Sequence, residues 1–396
     1  MNRIIKIVII SLCINLIVVL VLFCTQIPVI IDRKKFIIPV KIKSNILKLS
    51  NNSIKKQSIE IWSKAAIGQY FWEDIFQGNI HRREDFYMEG HYKTDKLNIL
   101  FRSGASLKAE SLKAFKNIRN LVLILNWRTK ELTNTTIEWL ETALSKPEIQ
   151  NFGIIALGNE QCHNSWFERW LKLSKYNDKF RFLFIVYDWS KIDNNRYFQW
   201  PLGVATYRNF EEPKNITSLI YDSRPFICNY IGTVYSGTSR EELEKLFNSN
   251  KILNESCILK TRSKWISNES DESMFFYRNA LKNSELTLNP IGMNHECYRI
   301  YESASFGSIP VIEINIKHHK TTSCDRLNVF RLFHETNAPF IYVKNWTTEI
   351  GDVIRRQRYK TYQQKITERV NLIEWYQKFK IFLKNRFLNV LNDKFL

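Results

Sequence analysis

The sequence predicts an α/β protein of two doubly wound domains in tandem, preceded by one N-terminal transmembrane helix. Three observations carry this prediction. Residues 7–31 form an uncharged apolar run, short apolar segments then alternate with longer amphipathic ones, and a polar interval over 210–223 splits that series in two.

The apolar run comes first. A bilayer core takes about 20 apolar residues, so residues 7–27 are read as a signal-anchor span behind a cytosolic tail of residues 1–6. A cleaved signal peptide has an apolar region of about 7–15 residues that ends at small side chains. This run is longer and ends in Phe23-Cys24-Thr25-Gln26-Ile27-Pro28. Flanking charge argues against a cytosolic N-terminus, because Arg3 and Lys6 precede the span while Arg33, Lys34, Lys35, Lys41 and Lys43 follow it. Six N-x-S/T sequons beyond the span, at Asn51, Asn134, Asn215, Asn254, Asn268 and Asn345, have meaning only in the lumen. They orient the chain as a single-pass type II membrane protein with its folded part luminal.

Residues 28–57 are polar and basic without periodicity and read as a stem. Over 58–76, Ile59, Trp62, Ala66 and Tyr70 fall on a helical stripe closed by Gly78, which predicts a helix. Apolar runs at 121–125, 154–157, 180–186, 226–231, 257–259, 286–288, 309–313 and 340–343 read as strands. Several are apolar throughout, as in sheets covered on both faces. Roughly 340 residues follow the stem, more than one hydrophobic core usually holds. The series therefore divides into domains over 58–217 and 218–348, with a cleft at the carboxyl ends of their strands. Over 364–390, Ile366, Val370, Ile373, Tyr376, Phe379, Leu383, Phe387 and Val390 recur every three or four residues, the pattern of one long amphipathic helix.

A net charge of +19 draws anionic partners such as nucleotide diphosphates, phosphorylated glycans or acidic lipid headgroups. The luminal orientation removes nucleic acid from that set. Of seven cysteines, Cys13 and Cys24 lie in the span. Cys162, Cys228, Cys257, Cys297 and Cys324 lie beyond it and allow two disulfides and one free thiol, with the pairing open. No C-x-x-C pair, H-E-x-x-H helix or Asp-x-Asp occurs, so no metal ligand set is predicted.

The segment over 284–313 (SELTLNPIGMNHECYRIYESASFGSIPVIE) reads as strand, Pro-x-Gly turn at Pro290 and Gly292, helix from about Asn294, a break at Gly307 and a second strand. Such a strand–turn–helix presents free backbone N–H groups and the positive helix end, where phosphate binds. Arg299 and Glu302, three apart, share a helix face. The arginine suits a diphosphate and the glutamate suits ribose hydroxyls; an ordinary helix-surface ion pair is the alternative. Glu160 (GIIALGNE) and Asp188 (FLFIVYD) each end an apolar strand of the first domain, so either is a candidate general base. A helix N-cap or turn role is the alternative for each, and Glu73 and Asp74 beside Trp72 are a third choice. In FQWPLGVATYRNF (198–210), aromatics flank a Pro-Gly turn and Arg208 is a candidate to meet an acceptor phosphate; interdomain packing of the cluster is the alternative.

The C-x-R-x-x-E helix over 297–302 and the G-S-I-P-V strand over 307–311 resemble the donor site of exostosin-type nucleotide-sugar transferases of the two-domain, Rossmann-paired class. IWSKAAIGQYFWEDIFQG (61–78), LVLILN (121–126), LGNEQC (157–162), CNYIGT (228–233), APFIYVKNW and EWYQ, together with 198–210, resemble the ribitol xylosyltransferase family. The resemblance implies a GT-B type fold, with residues 349–396 packing back across both domains. It implies UDP-xylose as donor, ribitol phosphate on the O-mannosyl glycan of α-dystroglycan as acceptor, inversion at the anomeric carbon, and no cofactor. By motif it carries the donor role to Gly232, Gly292, Asn294, Arg299 and Glu302. A Golgi membrane location follows, with fukutin and fukutin-related protein as expected neighbours in a complex. Two rivals stay open: an exostosin-like transferase using another UDP-sugar, and a non-catalytic scaffold of a Golgi glycosylation complex.

Overall fold

The computed structural model describes residues 56–83, 87–114, 117–266, 268–314, 324 and 328–396. The expected tail, the span over 7–27, the stem up to residue 55 and the sequon at Asn51 lie outside the described residues. Among the described residues no helix is long and apolar enough to cross a membrane.

Two sheets organise the chain. The first has eight strands in the order β2-β3-β4-β1-β5-β6-β7-β8. These are β1 (Gln57–Ser63), β2 (His81–Arg82), β3 (Tyr87–Lys93), β4 (Leu97–Gly104), β5 (Asn120–Asn126), β6 (Asn151–Leu157), β7 (Phe180–Val186) and β8 (Tyr197–Trp200). Strands β4-β1-β5-β6-β7-β8 run parallel, and β2-β3 add an antiparallel edge. The wholly apolar strands are explained by what covers them. Leu121, Leu123 and Leu125 of β5 pack under helices α1 (Lys130–Leu144) and α2 (Ser165–Leu173), through Trp139, Leu140, Phe167 and Leu171. Val122 and Ile124 belong to the core on the opposite face.

Strand β1 corrects the helix predicted over 58–76. Gln57–Ser63 lies between β4 and β5, with Ile59 and Ile61 on one face and Trp62 on the other, and helical turns begin only at Ile67. β-Branched Ile59 and Ile61 suit a central strand, where pairing on both edges outweighs a stripe that also fits helical spacing. The antiparallel strands β2 to β4 and the short β8 were not predicted, since their sequences mix polar and apolar residues without clean alternation.

The second sheet is five-stranded and parallel, order β10-β9-β11-β12-β13. Its strands are β9 (Phe226–Thr233), β10 (Cys257–Arg262), β11 (Ser284–Asn289), β12 (Ile309–Glu313) and β13 (Ile341–Val343), one at each apolar run predicted from 226 onward. The five cysteines beyond the apolar run resolve into Cys162–Cys324, Cys228–Cys257 and a free Cys297. Cys228 and Cys257 are register partners on β9 and β10.

Residues beyond 345 form two helices, α6 (Trp346–Tyr359) and α7 (Tyr362–Phe395), the second containing the long helix expected over 364–390; they are numbered after α3 (Ser239–Ser249), α4 (Asp271–Asn283) and α5 (Tyr298–Ser305). Thr361 and Gln364 form a capping box that restarts the chain as the 34-residue α7. That helix touches both sheets' cores. Phe387 meets Phe71, Phe182, Phe184 and Trp200 of the first half, and Trp375 and Phe379 meet Phe333 of the second. Arg369, 1 % exposed, forms a two-pronged ion pair with buried Glu285 at 3.0 and 2.7 Å and also donates to the carbonyls of Ile220 and Asp222. Removing one partner of a buried pair strands the other charge. Arg369→Ala is therefore expected to lower unfolding free energy by about 3–5 kcal/mol, read by urea denaturation; a loss below about 1 kcal/mol would place this pair with weak surface bridges.

Candidate active site

The carboxyl ends of both parallel sheets face one cleft of about 540 Å³. From the first half come Arg128 and Thr129 after β5, Glu160 after β6 and Tyr187 after β7. From the second come Gly232 and Thr233 ending β9, Arg262 ending β10, Met293, Asn294, Glu296 and Cys297 between β11 and α5, and Tyr298, Arg299 and Glu302 on α5. The linker over 201–210 lies on α5: Leu202 N–H donates to Glu296 Oε1 at 2.7 Å, and Ala205 N–H to Glu302 Oε1 at 3.1 Å. Gly203 permits this path. Its φ is +74°, and a Cβ there would lie 2.2 Å from the Tyr70 ring.

Most sequence-selected donor residues converge here. Arg299 Nε and Nη2 donate to the Ile231 carbonyl at 3.2 and 2.9 Å, and the guanidinium lies over the Tyr230 ring at 4.9 Å. Gly232 is what lets it approach, since a Cβ there would stand 2.6 Å from Nη2. Gly292 has the same relation to Arg240, whose Nη2 would be 2.2 Å from a Cβ. Gly292 itself does not line the cleft, but Arg240 does. Arg299 and Glu302 form no ion pair: Glu302 accepts from Ala205 N–H and, at 2.6 Å, from the Tyr277 hydroxyl. Burial raises the Glu302 carboxyl, against these two hydrogen bonds. The donor helix starts at Tyr298, not near Asn294. Asn294 lies in the preceding turn, where Nδ2 donates to the Glu160 carbonyl at 2.6 Å and Oδ1 accepts from Glu296 N–H at 2.8 Å. With the Cys162–Cys324 bond, Asn294 ties the Glu160 loop to the second half.

The two candidate bases separate. Glu160 lines the cleft, where its Oε1 accepts from Arg128 at 3.2 Å and from the Tyr187 hydroxyl at 3.4 Å. Asp188 is fully buried and does not line the cleft; it accepts from Trp189 N–H at 2.8 Å and pairs with Arg331 at 3.4 Å. Its burial raises the carboxyl against those partners. Asp188 is thus a turn carboxylate, the alternative role weighed for it. Glu73 pairs with Arg82, and half-buried Asp74 is pushed up to about 7 by desolvation and by Glu212, against Lys380; neither lines the cleft. Arg208 does line the cleft, yet its guanidinium is held by Glu269 at 3.6 Å, the Ile266 carbonyl at 3.1 Å and the flanking Tyr207 and Trp265 rings. Among the described sequons, Asn134, Asn215, Asn254 and Asn268 are exposed and Asn345 is half-buried; Asn215 and Asn345 also cap helices with side-chain oxygens.

Sequence reasoning missed Arg128, Arg240, Lys260, Arg262 and Glu296. Six cations line the cleft, and Arg240, Lys260 and Arg299 have no carboxylate partner among the described residues. Each missed cation is a single basic residue in a basic chain, and only the fold marks it out. Glu296, 4 % exposed, accepts from Leu202 N–H and the Tyr301 hydroxyl, and burial pushes it up to about 7. Unfolded, this carboxyl titrates near 4.5, so the folded chain holds an extra proton between the two values. Stability is then expected to fall as pH rises from about 4.5 to 7 and to level above. Urea unfolding at stepped pH reads this, and Glu296→Gln is expected to shallow the slope; an unchanged slope would assign it to other groups such as Asp74.

Similarity to known proteins fits this two-halved cleft. The RXYLT1 N-terminal domain matches residues 59–201 and the RXYLT1 C-terminal domain residues 207–396. Ribitol-5-phosphate xylosyltransferase 1 of Homo sapiens is 36% identical over 363 residues, covering 90% of this chain and 81% of that protein. Its counterpart in Danio rerio is 34% identical over 351 residues, covering 87% and 79%. Among solved structures, the N-terminal domain of Candida albicans trehalose-6-phosphate phosphatase aligns at a TM-score of 0.43 and 9% identity, covering 87% of this chain and 98% of that one. The two matched segments hold the two sheets and all the cleft residues described above except those of the linker between 201 and 207, and the chain belongs to the RXYLT1 family.

Proposed function

We propose that this chain is an inverting glycosyltransferase that moves xylose from UDP-xylose to ribitol phosphate on the O-mannosyl glycan of α-dystroglycan. One observation carries the reading beyond family membership: three cations without carboxylate partners, Arg240, Lys260 and Arg299, gather on the second half of a cleft whose first half presents Glu160. A diphosphate is the natural counter-charge for that group, because forked guanidiniums bind phosphate oxygens through paired hydrogen bonds. Asn294 and Glu302 would border the donor, and Glu160 would take the acceptor hydroxyl's proton. Charge developing on the departing UDP is then met by fixed cations, so no metal ion is required by this reading.

The test is transfer by the full-length chain in detergent micelles, offered UDP-xylose, UDP-glucuronate and UDP-N-acetylglucosamine with a phosphoribitol glycan. Product from UDP-xylose, undiminished by EDTA, is expected. Preference for another UDP-sugar would favour the exostosin-like rival, and no product from a folded chain would favour the scaffold. The reading also includes a type II anchor over 7–27 in the Golgi membrane, glycans on exposed sequons, and fukutin and fukutin-related protein as neighbours. Glycosidase-sensitive mobility, protease protection and co-precipitation from cells test these in turn.

A further inference from the structure

The six cleft cations divide by what already holds them. Arg262 and Arg208 share Glu269, Arg262 through both carboxylate oxygens at 3.1 and 2.7 Å and Arg208 at 3.6 Å. Arg240, Lys260 and Arg299 stand on the second half beside Gly232 and Thr233, where the donor diphosphate is placed above. Arg128 is the one lining cation carried by a loop that follows a strand of the first sheet, Arg208 being on the linker over 201–210.

Its setting is unlike the others. Arg128 follows β5, and its main chain is pinned on both sides: its N–H donates to Asn126 Oδ1 at 3.1 Å and its carbonyl accepts from Asn159 Nδ2 at 2.9 Å. One guanidinium nitrogen reaches Glu160 Oε1 at 3.2 Å, and the side chain remains 31 % exposed. Its Nε and Nη2 make no hydrogen bond among the described residues. The phenols of Tyr187, Tyr207 and Tyr298 surround the pair and also line the cleft. A guanidinium on a pinned main chain, touching a carboxylate and keeping Nε and Nη2 uncommitted, is therefore open to a ligand in the cleft.

Ribitol phosphate has the matching chemistry, because each of its hydroxyls lies within a few bonds of its phosphate. A cation and a carboxylate held side by side can engage both groups of one molecule. Resting on the transfer reading above, we propose that Arg128 is the acceptor-phosphate subsite. It grips the ribitol phosphate through its uncommitted donors and so sets a neighbouring hydroxyl against Glu160. In the transfer, the hydroxyl oxygen bonds to the anomeric carbon of xylose, and the bond from that carbon to the UDP oxygen breaks with its electron pair leaving on UDP. The hydroxyl proton passes to Glu160. Arg208, directed to this task by sequence alone, is tied instead to Glu269 and Ile266.

The experiment pairs kinetics with direct binding on the full-length chain. Acceptors are a phosphoribitol glycan and the same glycan ending in unphosphorylated ribitol; binding is read by calorimetry with ribitol 5-phosphate and, separately, with UDP. A charge-assisted hydrogen bond contributes about 1.5–3 kcal/mol, roughly 10- to 150-fold. Arg128→Ala is accordingly expected to raise KM for the phosphorylated acceptor about tenfold or more, to collapse the preference for phosphate and to leave UDP affinity within about twofold. Arg128→Lys should recover part of the preference, since a lysine restores charge without the fork. A preserved preference in Arg128→Ala, or its collapse in Arg208→Ala instead, overturns the assignment. Should the wild-type chain transfer nothing, the activity fails; ribitol 5-phosphate binding that depends on Arg128 would still support the subsite, and no such binding would overturn it.

Discussion

Arg299→Ala is expected to lower UDP affinity by at least about 100-fold, because it removes the fork that two or more phosphate oxygens would share, each such bond contributing about 1.5–3 kcal/mol. The geometry makes this loss specific. The guanidinium is aimed by two hydrogen bonds to the Ile231 carbonyl and by the Tyr230 face, and it forms no salt bridge to a carboxylate among the described residues. Arg299→Lys separates charge from shape, since a lysine keeps the cation but cannot both hold Ile231 and bridge two oxygens. An intermediate affinity is expected. Gly232→Ala should act in the same direction, its new Cβ displacing Nη2 from 2.6 Å. Calorimetry with UDP measures all three, and unchanged affinity in Arg299→Ala would remove this residue from the donor site.

Glu160→Gln is expected to lower kcat by about 10²- to 10⁴-fold, the usual contribution of a positioned base, while UDP affinity stays near that of the parent. Glutamine keeps the shape and the contact with Asn294 through the backbone carbonyl but cannot take a proton. Asp188→Asn is the contrast. Its carboxylate faces Trp189 of the first half and Arg331 of the second, away from the cleft lining, so stability should drop while kcat is largely kept. A large kcat loss in Asp188→Asn with little in Glu160→Gln would reverse the assignment and require the acceptor to enter from another side.

Legibility in the sequence followed the range of the contacts. Strands β5, β6, β7 and β9 to β13 were visible because each is a local apolar run bounded by turn residues, and α7 because its stripe repeats over many turns. β1 was misread since Ile59, Trp62, Ala66 and Tyr70 also satisfy a helical period. The choice between the two states was made by β4 and β5, whose register partners lie 40 and 61 residues further along the chain and which pair with β1 on either edge. The donor helix was legible as C-x-R-x-x-E, but its start at Tyr298 depends on Asn294 bonding to Glu160 and Glu296 instead of extending the helix.

By itself, then, the amino-acid sequence determined the α/β class, the two strand series, the carboxyl-end position of the cleft and the Arg299 motif, all properties of residues near one another in the chain. Tertiary structure alone decided that Glu160 faces the cleft while Asp188 turns inward, that Arg128, Arg240 and Lys260 join Arg299, and that Cys162 pairs with Cys324. Identical side chains differ in role only through burial and neighbours. Those neighbours come from separate segments, Arg128 standing 32 residues before Glu160 and Cys324 162 residues after Cys162, and no local pattern records which of them meet.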